Sequence, residues 1–182
     1  MKGVIFTEFL DMVDEKFGDE MVDDIINDSD LSTDGAYTTI GTYPHHEIIS
    51  LVGNLSKYSK IPAPDLIYVF GKHLFSRFTI LYSNLLEDYK DAFTFLEGIE
   101  NYIHVEVKKL YPDAQLPSFQ CSREGDNLIM DYKSDRAMAD LAHGLMEGSF
   151  AHFNEKITVK REDMSDDGTS VRFYLRKNDE VV

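Results

Sequence analysis

The chain of 182 residues holds one cysteine, no tryptophan and five prolines. One thiol cannot close an internal disulfide, and it excludes a multi-thiolate zinc or iron–sulfur site. Basic residues are scarce as well, 18 against 33 acidic ones, and the formal net charge is -15. That balance argues against a nucleic-acid backbone and against an anionic membrane surface as partners. Long apolar runs are missing. At the N-terminus only Val4-Ile5-Phe6 is continuously apolar, too short for the core of a signal peptide, and no later run is long enough to span a bilayer. The expected setting is soluble, reducing and cytoplasmic.

What the chain does hold is apolar and aromatic. Hydrophobic residues make up 43%, enough to bury a real core. Twelve Phe and ten Tyr supply flat rings that pack against one another by default and can also enclose a flat ligand. The length fits one domain of at most two lobes.

Apolar residues at helical spacing predict a helix over 2–17, ending at Gly18, and a second from Asp19 through Ile26. Residues 27–42 are polar and read as a loop. Pro44 opens a third helix, and Pro62 and Pro64 close the connection after it. The pattern then gives a helix over 65–81 and one long helix from about Asp88 to Tyr111, stopped by Pro112. Beyond Pro117 the texture changes to strands over 117–120 and 128–134, joined by the turn Glu124-Gly125-Asp126-Asn127. A helix over 137–153 and a hairpin of 157–162 and 170–175 across Asp167-Gly168 complete the chain. The fold class is α+β: a helical N-terminal lobe, about 1–62, and a C-terminal lobe of antiparallel strands plus helices, about 63–182.

Chemistry concentrates at Tyr132-Lys133-Ser134-Asp135-Arg136. If the strand continues through this stretch, Tyr132, Ser134 and Arg136 share a face at intervals of roughly 7 Å. A phenol, a hydroxyl and a guanidinium then point one way, which suits a ligand with two carboxylates. A solvated strand face gives the same pattern. Haem is such a dicarboxylate, and it needs an axial ligand from the six histidines. His45 and His46 are adjacent beside a loop and read as solvent residues; His73, His143 and His152 read as packed-edge or snorkelling residues. His104 lies mid-helix between Ile103 and Val107, in line with Phe93 and Tyr111. That setting suits a neutral imidazole against an apolar plane, and equally a histidine at a core edge.

A helix histidine, a downstream proline and Tyr-x-Ser-x-Arg leading into a helix together resemble the haem–nitric-oxide/oxygen-binding (H-NOX) family. The likeness runs from Met1-Lys2-Gly3 through Gly144-Leu-x-Glu-Gly148 to the final hairpin. It implies haem b held between the lobes, with His104 as the proximal iron ligand. Tyr132, Ser134 and Arg136 become the propionate clamp, and Pro117 the residue that presses on the haem. Ile5, Phe9, Leu74, Phe78, Leu141 and Leu145 fall on the distal side. Their i,i+4 spacing is equally that of ordinary core.

Position 141 departs from the oxygen-binding members, which carry a distal Tyr there; here it is Leu141, and the supporting position is Leu74. A hydrogen-bond donor to the partly charged dioxygen ligand is worth roughly 1.5–3 kcal/mol, and Ile, Phe and Leu withhold it. The resemblance therefore implies a sensor that binds NO and CO, excludes O₂ and catalyses nothing. NO weakens or breaks the bond to His104, the haem relaxes against Pro117 and Ile5, and the lobes shift. A chain ending at Val182 is expected to act as a monomer on a partner in trans, a sensor histidine kinase or a cyclic-di-GMP synthase or phosphodiesterase. Two other classes compete. A non-haem module for a carboxylate ligand explains Arg136 but leaves His104 without a role, and a haem peroxidase would need distal acid–base groups that the inferred set lacks.

Overall fold

The computed structural model describes residues 1–178; the last residues of the expected domain, 179–182, lie outside the described residues. Among the described residues the helices are α1 (Gly3–Phe17), α2 (Asp19–Asn27), α3 (His45–Ser59), α4 (Ala63–Leu81), α5 (Ala92–Gly98), α6 (His104–Leu110) and α7 (Ala139–His152). The strands are β1 (Ser118–Glu124), β2 (Asn127–Lys133), β3 (Ile157–Asp163) and β4 (Ser170–Lys177). They form one antiparallel sheet in the order β1-β2-β4-β3. The expected α+β architecture is therefore the observed one.

Local chemistry sets the boundaries. Gly18, at φ 88°, breaks the chain between α1 and α2 at a conformation that L side chains rarely adopt. Pro64 sits in the first turn of α4, where its missing N–H would have had no helical partner. The helix accordingly starts two residues earlier than the expected 65. Asp91 caps α5 by accepting the Thr94 N–H at 3.1 Å, so the expected helix over 88–111 begins at Ala92.

That helix is also interrupted. A π-helical turn, Ile99–Ile103, separates α5 from α6, with the His104 N–H reaching back to the Ile99 carbonyl. The extra residue rotates everything after it by about 100° relative to an unbroken α-helix. The alignment of His104 with Phe93, counted over eleven residues, therefore fails: Phe93 is fully buried in the C-terminal core, away from the cavity that His104 lines.

Two cores form. Phe6, Phe9, Met12 and Val13 of α1 pack with Leu51 and Leu55 of α3, and with Leu66, Phe70 and Leu74 of α4. The second core joins the inner sheet face (Leu128, Met130, Tyr132, Val171, Phe173) to Phe93 and Leu96 of α5 and Met146 and Phe150 of α7. α4 serves both, since its Phe75 belongs to the second core. It crosses α7 closely: a Cβ on Gly71 would come within 2.8 Å of the Gly144 Cα.

Two carboxylates, Glu8 of α1 and Glu47 of α3, are buried. Glu47, 0% exposed, accepts the Ser32 N–H at 3.0 Å, the Ser32 hydroxyl at 2.6 Å and the Tyr37 phenol at 2.7 Å. Burial alone would raise its pKa, but these donors outweigh burial and the net shift is downward from 4.5. Glu47→Ala strands the donors and is expected to cost about 2–4 kcal/mol, a fall in Tm of roughly 5–15 °C. Because the folded pKa is depressed, the carboxylate's contribution is present above 4.5 and is lost as pH falls through the folded value. The gap between wild type and variant in thermal scans should therefore close in acid.

Candidate functional site

Between the two cores lies an apolar cavity of about 390 Å³, within the size range of cofactor sites. α1 contributes Val4 and Ile5, α4 contributes Leu74, Phe75 and Phe78, and α7 contributes Leu141, Leu145 and Met146. The other wall comes from the His104 segment (Ile99, Ile103, His104, Val107), the loop into β1 (Leu116, Pro117) and Phe119 of β1. Tyr132, Ser134 and Arg136 also line it, with Met1, Lys2, Asp113 and Gln115 near them in the lining.

His104 is the one imidazole among the described lining residues. Its side chain is 14% exposed, and its Nδ1 lies 3.4 Å from the Glu100 Oε2, which leaves Nε2 for a ligand. Burial holds its pKa below 6.5, while Glu100 pulls in the opposite direction. A neutral imidazole is the form that binds a metal.

The Tyr132–Arg136 stretch reaches the cavity in a different way from the expected one. Only Tyr132 belongs to β2, which ends at Lys133; the chain then turns, with the Ala137 N–H donating to the Ser134 carbonyl at 3.1 Å. Ala137 adopts φ 50°, which delays the start of α7 to Ala139. The shared face is therefore made by a turn instead of by strand repeat. The buried Tyr132 hydroxyl accepts the Met138 N–H at 3.0 Å. Arg136 folds onto Gln115, donating to its carbonyl at 2.9 Å and its side-chain oxygen at 3.3 Å, and Ser134 Oγ accepts the Arg136 N–H at 3.2 Å. Each group keeps hydrogen-bonding capacity for a carboxylate.

Of the expected distal residues, Ile5, Leu74, Phe78, Leu141 and Leu145 line the cavity. Phe9 does not. It is 0% exposed in the N-terminal core, edge-on to Phe70 with ring centroids 5.2 Å apart. The lining also holds Tyr111, expected in line with His104, and Tyr82, which no sequence signal had marked; their hydroxyls are 2.9 Å apart. His45, expected in solvent, is half-buried, and its Nε2 is buried without a hydrogen-bond partner. Cys121 lies in β1 outside the cavity lining, and burial pushes its thiol up to about 11, so it stays neutral at physiological pH.

An α+β fold closes an apolar cavity around one imidazole, with hydroxyls and a guanidinium in its lining, a combination that suits a ligand carrying carboxylates. The chain belongs to the haem-NO-binding family, whose model matches residues 2–161. It is similar over its whole length to the Fe(II) unliganded H-NOX protein from K. algicida, with 46% identity, 99% of that chain covered and a TM-score of 0.95. The H-NOX from Shewanella woodyi, solved with IWP-051 in the Fe(II)CO state, is 35% identical, with 100% of this chain and 97% of that one covered and a TM-score of 0.86. An S. oneidensis H-NOX protein in the Fe(II)NO state is 25% identical over 98% of this chain and 100% of that one, at a TM-score of 0.92. H-NOX domains are haem-based gas-sensing modules. No helix among the described residues is long and apolar enough to cross a membrane.

Proposed function

We propose that this protein is a sensor for NO that also binds CO and excludes O₂. The observation that carries the reading is the placement of a half-buried imidazole, His104, in an otherwise largely apolar cavity that also reaches Arg136. Haem b, when bound, supplies the ferrous iron at which the gas binds. His104 would hold the iron; Tyr132, Ser134 and Arg136 would take the propionates; Pro117 and Ile5 would pack against the macrocycle. The fit is chemical. The walls are mostly hydrocarbon, burial lowers the His104 pKa and so favours the neutral imidazole, and the permanent positive charge of Arg136 suits carboxylates.

Selectivity rests on Ile5, Leu74, Phe78, Leu141 and Leu145, none of which donates a hydrogen bond. The Tyr82–Tyr111 pair is the polar exception, and Tyr111 directly follows the helix that carries His104. Signalling turns on His104. A bound His104 would tie the α6 segment in place, and its release would let the N-terminal helical lobe, about 1–62, move against the lobe of about 63–182 that holds Tyr132 and Arg136. The output is read by a partner in trans, a sensor histidine kinase or a cyclic-di-GMP enzyme. In this reading the protein is a regulator, a cytoplasmic monomer without catalysis of its own.

The test is the visible spectrum of the ferrous protein. A Soret band that shifts with NO and with CO, and is unchanged by air on the timescale of mixing, is expected. A stable oxy spectrum would refute oxygen exclusion and implicate the Tyr82–Tyr111 hydroxyls. Absence of any chromophore after haem-replete expression would favour the carboxylate-binding alternative.

A further inference from the structure

We propose that Glu100 is a positioning residue for His104. It holds the imidazole in the tautomer protonated at Nδ1, aims Nε2 into the cavity and strengthens it as an iron ligand. The proposal deepens, and rests on, the reading of His104 as that ligand.

Two observations meet at one oxygen. Glu100 Oε2 lies 3.4 Å from His104 Nδ1, and the same oxygen accepts the backbone N–H of Phe119 at 2.9 Å. The carboxylate is thereby anchored to β1, two residues beyond Pro117, and is not a freely turning surface group. An anchored carboxylate facing one imidazole nitrogen fixes which nitrogen keeps the proton and gives electron density to the other. The contact is long for a hydrogen bond, as such contacts often are before the ligand is in place.

The backbone adds a third observation. Glu100 lies within the π-helical turn Ile99–Ile103, and His104 is the residue whose N–H closes it. A π turn is rare, and it inserts a residue into the helix immediately ahead of the histidine. That insertion sets the direction of His104 relative to α5, and the bond from Glu100 to Phe119 braces the inserted segment from outside. The Glu100 side chain is 42% exposed. Water therefore competes for it, and its action is to tune the ligand, not to decide whether the cofactor binds.

Two variants separate the parts of this device. Glu100→Gln keeps an oxygen for Phe119 and Nδ1 but removes the charge, whereas Glu100→Ala removes both. Resonance Raman of the unliganded ferrous protein should show the iron–histidine stretch at lower frequency in Glu100→Gln and lower again in Glu100→Ala. Haem affinity should fall by about tenfold, the low end for an outer partner of a metal ligand. In the haem-free protein, ¹⁵N-imidazole NMR should show His104 protonated at Nδ1 in the wild type and a mixture of tautomers in Glu100→Ala. If Glu100→Ala does not fold, Glu100→Gln decides alone. An unmoved stretch in a folded variant, or an unmoved tautomer in Glu100→Ala, overturns the proposal. A stretch that persists in His104→Gly would instead overturn the assignment of His104 as ligand, and the tautomer measurement would still judge Glu100.

Discussion

Replacing His104 by glycine should abolish the proposed iron–histidine bond and leave the fold intact, because the residue lines a cavity and takes no part in either core. Outer partners of metal ligands typically cost about 10–100-fold in metal affinity when removed, so loss of the ligand itself should exceed that range. Added imidazole should enter the space left by the side chain and restore the wild-type ferrous spectrum, since the wall formed by Ile103, Val107 and Pro117 remains. The functional consequence is the sharper test. If release of His104 is the signal, the glycine variant should drive the partner as the NO-bound wild type does, and imidazole tethered to nothing should not reverse it. A variant that still switches its partner fully with NO would show that the signal travels by another route. The spectrum and the partner assay fail independently. Loss of the band without a change in output separates the ligand role of His104 from its signalling role.

The residues explain why much of this fold was legible in advance. α1, α3 and α4 announce themselves by apolar residues at helical spacing, and β2 by the alternation Leu128, Met130, Tyr132, all buried on one sheet face. Burial demands those periods, so they survive into the sequence. The π turn is different. Nothing in Ile-Glu-Asn-Tyr-Ile distinguishes a hydrogen bond reaching back five residues from one reaching back four, because side-chain identity reports burial and not backbone register. The turn after Lys133 was hidden for a related reason: its positive-φ residue is Ala137, where glycine would have marked it.

The site was legible in its chemistry more than in its geometry. Tyr132, Ser134, Arg136, Pro117 and His104 all line one cavity, although the expected strand face was in fact a turn and the helix was not continuous. Phe9 shows the limit of i,i+4 reasoning. It follows Ile5 by four residues, an angular offset of about 40°, enough to swing its ring from the cavity into the core against Phe70. Glu100, four residues before His104, carried a signal that went unused, an acidic residue one turn from a candidate ligand.

The cavity's gas preference offers the other large effect. Leu141 lines the cavity from α7 together with Leu74 from α4, the latter 1% exposed. Leu141→Tyr places a phenol O–H where the wall is now hydrocarbon. A hydrogen bond to a charge-bearing acceptor is worth about 1.5–3 kcal/mol, or roughly 10- to 150-fold in O₂ affinity. In the single variant the hydroxyl has no partner when no oxygen is bound, which costs about 1–3 kcal/mol of stability in that state. Pairing it with Leu74→Asn supplies an amide N–H that donates to the phenol oxygen and leaves the phenol O–H for dioxygen, and exchanges a branched apolar side chain for one of similar length. The double variant should therefore form an oxy spectrum in air more readily than the single one, with a slower O₂ dissociation rate by stopped flow. NO binding should change little, because it depends far less on that donor. If both variants fold, bind haem and still show no oxy species, the hydrocarbon wall is not what excludes oxygen. The discrimination would then have to lie on the His104 side, in the strength of the ligand that Glu100 is inferred to set.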